Sequence, residues 1–261
     1  MKIIRSKPFR LIVILICIAI IIYESIAIYR EKQEYNIAGT EYEELVEDSI
    51  SVADKAEMPD GATYPPLQID YAQLKSINSD FVAWIYMPCF DLSYPVVHEK
   101  EIDEYIKKTF EGKYNSSGCL FTDVLSTTDF TGMHDIIFGH NMRNGSMFGK
   151  FKQLIQEGGR EIIDSNPYVY IYTENAVYKY RVFAYYVTTV GSDSYSVVTS
   201  EQEYNDFIKY IASNNLYEKP SDLNLDEFPS ILTLSTCSGR SGSGKRLVIH
   251  TAKVDGWTLN N

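Results

Sequence analysis

Three residues whose types together can perform thiol acyl transfer stand at the ends of apolar runs in this sequence. Cys237 closes the run Ile231–Cys237 and precedes a loop rich in Gly and Ser. A cysteine at such a strand end is open to a substrate, whereas a packed structural cysteine is the alternative interpretation. A nucleophilic thiolate also needs a nearby cation and a group that carries protons.

Arg246 supplies the candidate cation. It begins the apolar run that follows Cys237, and an antiparallel hairpin would bring the two residues within reach of each other. A guanidinium there would stabilise the oxyanion of a tetrahedral intermediate. The alternative is a solvated arginine at the start of a strand.

His140 is the candidate proton carrier, because it ends the apolar run 135–140 and opens a polar turn. We expect His98 at the surface, His134 in a loop, and His250 in the core or the cleft lining. No Cys or His has the short repeated spacing of a zinc site, and the carboxylates match no EF-hand loop. The sequence therefore predicts no metal and no cofactor.

Eight short runs rich in β-branched and aromatic residues follow residue 66, and turn-forming residues bound most of them. They span 81–87, 94–97, 119–122, 135–140, 168–173, 176–190, 231–237 and 246–254. This pattern favours a closed or nearly closed barrel over alternating βαβ units. Peripheral helices are expected at 70–77, 101–110, 146–156 and 201–213, and Ser200 with Glu203 forms a capping box before the last.

An apolar run at residues 11–23 follows a basic tip that contains Lys2, Arg5, Lys7 and Arg10. Extended to residue 29, it would form a helix of roughly 28 Å. Residues 1–29 are therefore predicted to be a signal anchor with the N-terminus in the cytoplasm. A cleaved signal peptide and a buried N-terminal helix of a cytosolic protein are the alternatives.

The net charge of -11 is distributed unevenly along the 261 residues. The basic tip is followed by an acidic segment whose apolar positions are too sparse for a core, so residues 30–65 are predicted to be a stalk. Residues 66–261 form the predicted catalytic domain. The acidic balance argues against binding to nucleic acid, which requires a basic surface.

Three motifs together resemble the sortase family: TLSTC (233–237), KRLVIHTA (245–252) and GHNM (139–142). The segments WIYMP (84–88), YPVV (94–97) and GSMFG (145–149), with the helix 201–213, resemble class B of that family. The resemblance covers roughly residues 67–254. It implies a mainly β fold, an eight-stranded sortase-type β-barrel with peripheral helices, held outside the membrane of a Gram-positive bacterium by the N-terminal transmembrane helix.

The resemblance also implies a cysteine transpeptidase. Cys237 would attack the Thr carbonyl of a C-terminal sorting signal on a secreted protein and form a thioester. His140 would protonate the leaving amine and then deprotonate an incoming amine of a peptidoglycan precursor, while Arg246 holds the substrate and stabilises the oxyanion. Ser235 and Thr236 would shape the site beside the cysteine.

Two alternatives stay open for the activity: a cysteine endopeptidase that releases proteins to water, and a surface barrel without catalysis. Cys89 and Cys119 depart from the family pattern, which commonly has small or polar residues there. They are expected either to form a disulfide or to act as two separate small side chains.

Overall fold

The computed structural model describes residues 7–53, 58–59, 61–239 and 242–259, so Lys2 and Arg5 of the basic tip lie outside the described residues. The first element is the helix α1 (Lys7–Ser49). The short strands β1 (Ile50–Val52) and β2 (Leu67–Ile69) then pair in a two-stranded antiparallel sheet.

The remaining strands close into a barrel with the order β10-β8-β7-β3-β4-β5-β6-β9, which confirms the predicted eight-stranded barrel. β4 pairs with β5 and β6 pairs with β9 in parallel, and the other neighbours are antiparallel. The bounds are β3 (Phe81–Met87), β4 (Leu92–His98), β5 (Leu120–Thr122), β6 (His134–Phe138), β7 (Tyr168–Tyr172), β8 (Ala176–Thr189), β9 (Ile231–Cys237) and β10 (Lys245–Thr258).

Side-chain alternation divides β9 and β10 between two environments. Leu234 pairs with Ile249, and both are fully buried in the barrel interior. The opposite face is partly covered by the helix α4 (Glu201–Asn214), which buries Phe207 and Ile211 in a second cluster together with Val248. Each such buried side chain contributes about 1.5–3 kcal/mol to stability.

The other helices differ from the sequence prediction in two places. α2 (Tyr71–Ile77) forms as expected, but the predicted helix 101–110 is a series of turns, because Asp103 adopts a left-handed φ of 65° that an α-helix does not allow. The predicted helix 146–156 is a 3-10 segment, Gly149–Ile155. The helix α3 (Gly159–Ser165) follows it and was not predicted.

The acidic segment after residue 30 is helical up to Ser49 and packs against the barrel domain along one stripe. Ala38, Tyr42 and Leu45 are buried there, although the composition suggested that this segment contributes nothing to a core. The Glu41 carboxylate is buried too, and it accepts hydrogen bonds from the Thr109 hydroxyl (3.0 Å) and the Glu111 amide (3.1 Å). A stripe of one residue per turn is too narrow to stand out in the sequence.

Candidate active site

Cys237 and Arg246 face each other across the hairpin of β9 and β10. The strand register pairs the two residues directly, which confirms the expected proximity. Directly paired residues of an antiparallel pair point to the same side of the sheet, and here that side faces away from the barrel interior. The Cys237 side chain is exposed, whereas Arg246 is partly buried.

His140 arrives at the same place from β6. Because β6 and β9 are parallel, their C-terminal ends lie side by side, and His140 follows the end of β6 by two residues. The Gly139 amide donates to the Ser235 carbonyl (3.1 Å), and the Asn141 side-chain amide donates to the Cys237 carbonyl (2.8 Å). Gly139 is required there, because a Cβ would lie 2.4 Å from a Leu120 methyl carbon.

The tautomer of His140 follows from its hydrogen bond. Nε2 lies 2.5 Å from the Ile106 carbonyl oxygen. A carbonyl can only accept, so Nε2 carries the hydrogen and Nδ1 of the neutral ring is the nitrogen that can take up a proton. The turns 101–110 that replace the predicted helix therefore orient this imidazole.

Cys237, His140 and Arg246 line one cleft of about 390 Å³, whose other walls are largely apolar. Ile106, Ile136 and Phe138 contribute to it, which gives a surface for an extended peptide with uncharged side chains. Among the described residues, no carboxylate lies within 4.0 Å of the Arg246 guanidinium. The guanidinium is therefore available to a substrate oxygen.

Ser235 and Thr236 both line the cleft, but they lie on opposite faces of β9. The Ser235 hydroxyl lies on the cleft side and is hydrogen-bonded to the Tyr195 hydroxyl at 2.9 Å. Thr236 is buried, and its hydroxyl has no hydrogen-bond partner among the described residues. Only Ser235 therefore offers a hydroxyl on the side of Cys237.

Tyr195 is a cleft residue that sequence reasoning missed. Its ring stacks on Phe138 at 5.9 Å and 17°, and burial raises the pKa of its hydroxyl, which keeps it protonated. Tyr195 ends the 3-10 turn Asp193–Tyr195 in the connection after β8. No local pattern links that turn to β9, so no signal in the sequence could have found it.

One end of the cleft carries carboxylates. Glu99 is 4% exposed, and burial together with the charges of Asp103 and Asp123 raises its pKa to about 7. All three residues line the cleft. The cleft thus has a guanidinium beside the thiol and a carboxyl of variable protonation in its wall.

The other histidines are structural. His134 is the first residue of β6 rather than part of a loop, and burial lowers its pKa to about 4. His250 is fully buried behind α4, and burial lowers its pKa well below the usual range. His98 ends β4 and is hydrogen-bonded to the Thr122 hydroxyl at 2.9 Å instead of lying free at the surface.

The four cysteines differ in exposure, and all four are free thiols. Cys89 and Cys119 are therefore two separate side chains, and burial raises the pKa of each to about 12. Cys17 lies on α1, and Cys237 is exposed in the cleft. Among the described residues, no group of three His, Cys, Asp or Glu side chains could hold a metal ion.

Comparison with known proteins agrees with this geometry. The model of the Sortase domain matches residues 85–254, which is about two thirds of the chain. The chain belongs to the sortase family. Sortases are cysteine transpeptidases that anchor proteins to the cell wall, and the solved sortase structures share the barrel found here.

The relatives of this sortase that we compared are of class B. It is 28% identical to sortase B of Listeria monocytogenes over 180 residues, 67% of this chain and 70% of that protein. It is 25% identical to sortase B of Staphylococcus aureus over 256 residues, 96% and 98% of the two chains. That protein has been solved in a substrate complex and with triglycine, each with a TM-score of 0.63 at 24% identity to this chain, over 70% of this chain and 84% of that one, and over 73% and 86%.

A structure of sortase B from Bacillus anthracis covers 85% of this chain, and this chain covers 98% of it. The two are 27% identical and superpose with a TM-score of 0.66.

Proposed function

We propose that this sortase cleaves a C-terminal sorting signal of secreted proteins after Thr and transfers the released acyl group to an amine of a peptidoglycan precursor. The observation that carries the proposal is the meeting of three strand ends: Cys237 and Arg246 are paired in register, and His140 reaches the same cleft from the parallel strand β6.

In the first half-reaction, the Cys237 thiolate attacks the carbonyl carbon of the Thr residue. The negative charge moves to the carbonyl oxygen, where the Arg246 guanidinium stabilises it. The C–N bond then breaks, and the protonated His140 gives its Nδ1 proton to the leaving amine. The products are a thioester on Cys237, a free amine and a neutral imidazole.

In the second half-reaction, an amine attacks the thioester carbonyl and gives its proton to His140. The C–S bond breaks, which regenerates the Cys237 thiolate and the protonated imidazole. Ser235 and Thr236 are the proposed substrate-binding residues beside the thiol. The hydrogen bond from Ser235 to Tyr195 supports such a role, since it fixes the cleft wall next to the scissile bond.

We also propose that residues 1–29 are a transmembrane signal anchor, that 30–65 link it to the catalytic domain 66–261, and that this domain lies outside the cell membrane. α1 is long and apolar enough to cross a membrane, which supports the anchor by length and composition. The basic residues before the apolar run favour a cytoplasmic N-terminus. Proposed partners are secreted proteins with a sorting signal, the peptidoglycan amine and the membrane.

The test is cleavage of pentapeptide sorting signals by the full chain in detergent, with and without triglycine as the amine. The expected products are a new amide when triglycine is present and a free acid when it is absent. Cys237→Ala should give neither product, while Cys89→Ala is the matched control, because its thiol is half-buried and lies outside the cleft. An acid product alone at saturating triglycine would indicate an endopeptidase, and no cleavage would indicate a non-catalytic barrel.

A further inference from the structure

The part of α1 that lies beyond the apolar run contacts one loop of the barrel domain, residues 115–119, which we call the support loop. The Asn115 side-chain amide donates to the Glu34 carbonyl (3.0 Å), and the Ser116 hydroxyl donates to the Glu34 carboxylate (2.6 Å). Two turns further along α1, the Tyr42 hydroxyl donates to the Gly118 carbonyl (2.7 Å). Tyr42 is only 6% exposed, so this bond is shielded from water.

The support loop is in turn packed against the catalytic imidazole. Gly118 has a φ of 60°, and a Cβ at this position would lie 3.1 Å from Cδ2 of His140 and 2.8 Å from the carbonyl oxygens of Tyr105 and Ile106. The Ile106 carbonyl is the acceptor of the Nε2–H of His140. The Cys119 amide also donates to the Tyr105 carbonyl (3.2 Å), which ties the loop to the same turn.

These contacts form one continuous connection from α1 to His140. The Tyr42 hydroxyl fixes the Gly118 carbonyl, and the Gly118 backbone fills the space between the imidazole edge and the carbonyl that sets its tautomer. No side chain intervenes, so a displacement of residue 118 acts directly on the ring and on its acceptor. Such second-sphere hydrogen bonds set which imidazole nitrogen carries the proton.

We propose that Tyr42 is a positioning residue for His140, and that docking of α1 on the support loop completes the active site. The proposal rests on the function of His140 proposed above. It assigns the helix that leaves the apolar segment a role in the reaction as well as in attachment. Loss of the Tyr42 hydroxyl should allow residue 118 to move, so that Nε2–H of His140 loses its fixed acceptor and Nδ1 its aim.

The experiment compares Tyr42→Phe with Tyr172→Phe in the full chain. Tyr172 is a matched control: it is 1% exposed, its hydroxyl also donates to a backbone carbonyl at 2.7 Å (that of Pro65), and it lies outside the catalytic cleft. Both variants lose one shielded hydroxyl-to-carbonyl hydrogen bond and keep the aromatic ring. We expect a similar small decrease in Tm for both.

Only Tyr42→Phe should lower kcat for peptide cleavage, by roughly tenfold with KM little changed, because a small displacement of a catalytic group is costly. In a ¹⁵N-histidine-labelled chain without substrate, the Nε2–H signal of His140 should shift in Tyr42→Phe alone. Equal kcat values and an unmoved Nε2–H signal in the two variants would overturn the proposal. A wild-type chain that cleaves nothing would instead refute the proposed function, and the NMR comparison would still test the positioning.

Discussion

The strands β6, β9 and β10 carry two clusters of polar side chains, one at each end of the same wall. At one end lie His140, Cys237 and Arg246, which are exposed or partly buried and line an open cleft. Toward the other end, Thr233 lies between the rings of His134 and His250, with 2.8 Å from its hydroxyl to each ring. His250 and Thr233 are fully buried there.

The hydrogen bonds of the buried cluster have a fixed direction. The Ser196 carbonyl accepts from Nδ1 of His134 (2.8 Å), so Nε2 of that ring must accept from the Thr233 hydroxyl. The Thr233 oxygen then accepts from Nδ1 of His250, whose Nε2 accepts from the Tyr186 hydroxyl (3.0 Å). Both imidazoles are neutral in this arrangement, which agrees with their lowered pKa values.

The comparison teaches that residue type and strand position alone do not make a histidine catalytic. Each histidine of the buried cluster has both ring nitrogens occupied by protein partners, so neither can exchange a proton with a substrate. His140 has one nitrogen held by the Ile106 carbonyl and the other directed to an open cleft. Chemistry thus requires one fixed and one available nitrogen.

The largest expected effect separates the two ends directly. His140→Ala should lower kcat/KM for sorting-signal cleavage by about 10³-fold or more, because the proton carrier is lost, while Tm stays near the wild-type value. The measurement is steady-state cleavage combined with thermal unfolding. His250→Phe should show the opposite pattern, a large loss of Tm with near-normal kcat for the folded fraction. A catalytic loss in His250→Phe at full folding would break the comparison.

The second prediction concerns the cation of the open end. Arg246→Lys keeps the charge but lacks the planar pair of donors, so cleavage should fall by about 10²-fold. KM and kcat from peptide titration are the readout. Lys245→Ala is the neighbouring control, since its side chain is exposed and lies outside the cleft. Full activity of Arg246→Lys would leave only a general electrostatic role for residue 246.

The third prediction tests the buried end by stability. Thr233→Val leaves the His134 and His250 ring nitrogens without their shared partner, and the free energy of unfolding should fall by about 3 kcal/mol. Thr236→Val on the same strand should cost nothing or even stabilise, because the Thr236 hydroxyl has no partner among the described residues. Chemical denaturation at pH 7.5 measures both. Equal losses in the two variants would contradict the hydrogen-bond assignment.

The smallest expected effect is a pH dependence from Glu99. Its pKa in the folded chain is about 7 instead of 4.5, so the folded state binds more protons between these values and stability falls as pH rises through this window. Glu99→Gln removes this loss and should stabilise the chain by about 2 kcal/mol at pH 8, but not at pH 4.5. Because His134 and His250 destabilise the fold in the acid direction, the variant must be compared with wild type at each pH. A difference independent of pH would contradict the raised pKa.

Much of the fold was predictable from local sequence because the barrel strands are short, apolar and bounded by turns. The pairing of Cys237 with Arg246 was predictable too, since a short hairpin leaves little freedom of register. The position of His140 beside them depends on the parallel pairing of β6 and β9, about a hundred residues apart, and only the family resemblance indicated it.

Three features of the site could not be predicted, each for a physical reason. The turns 101–110 that orient His140 were assigned to a helix, because nothing in the sequence indicates the left-handed conformation of Asp103. Tyr195 reaches Ser235 only through tertiary folding. The docking of α1 was missed because its buried stripe includes Glu41, and a carboxylate normally indicates a solvated face.

The most direct test of the central claim is the mass of the intact chain during turnover. A sorting-signal peptide added without an amine acceptor should give a chain heavier by the N-terminal acyl fragment, with the adduct on Cys237 after proteolytic mapping. Triglycine should discharge the adduct and yield the corresponding amide. An adduct on Cys89 or Cys119, or cleavage by the Cys237→Ala variant, would contradict the account.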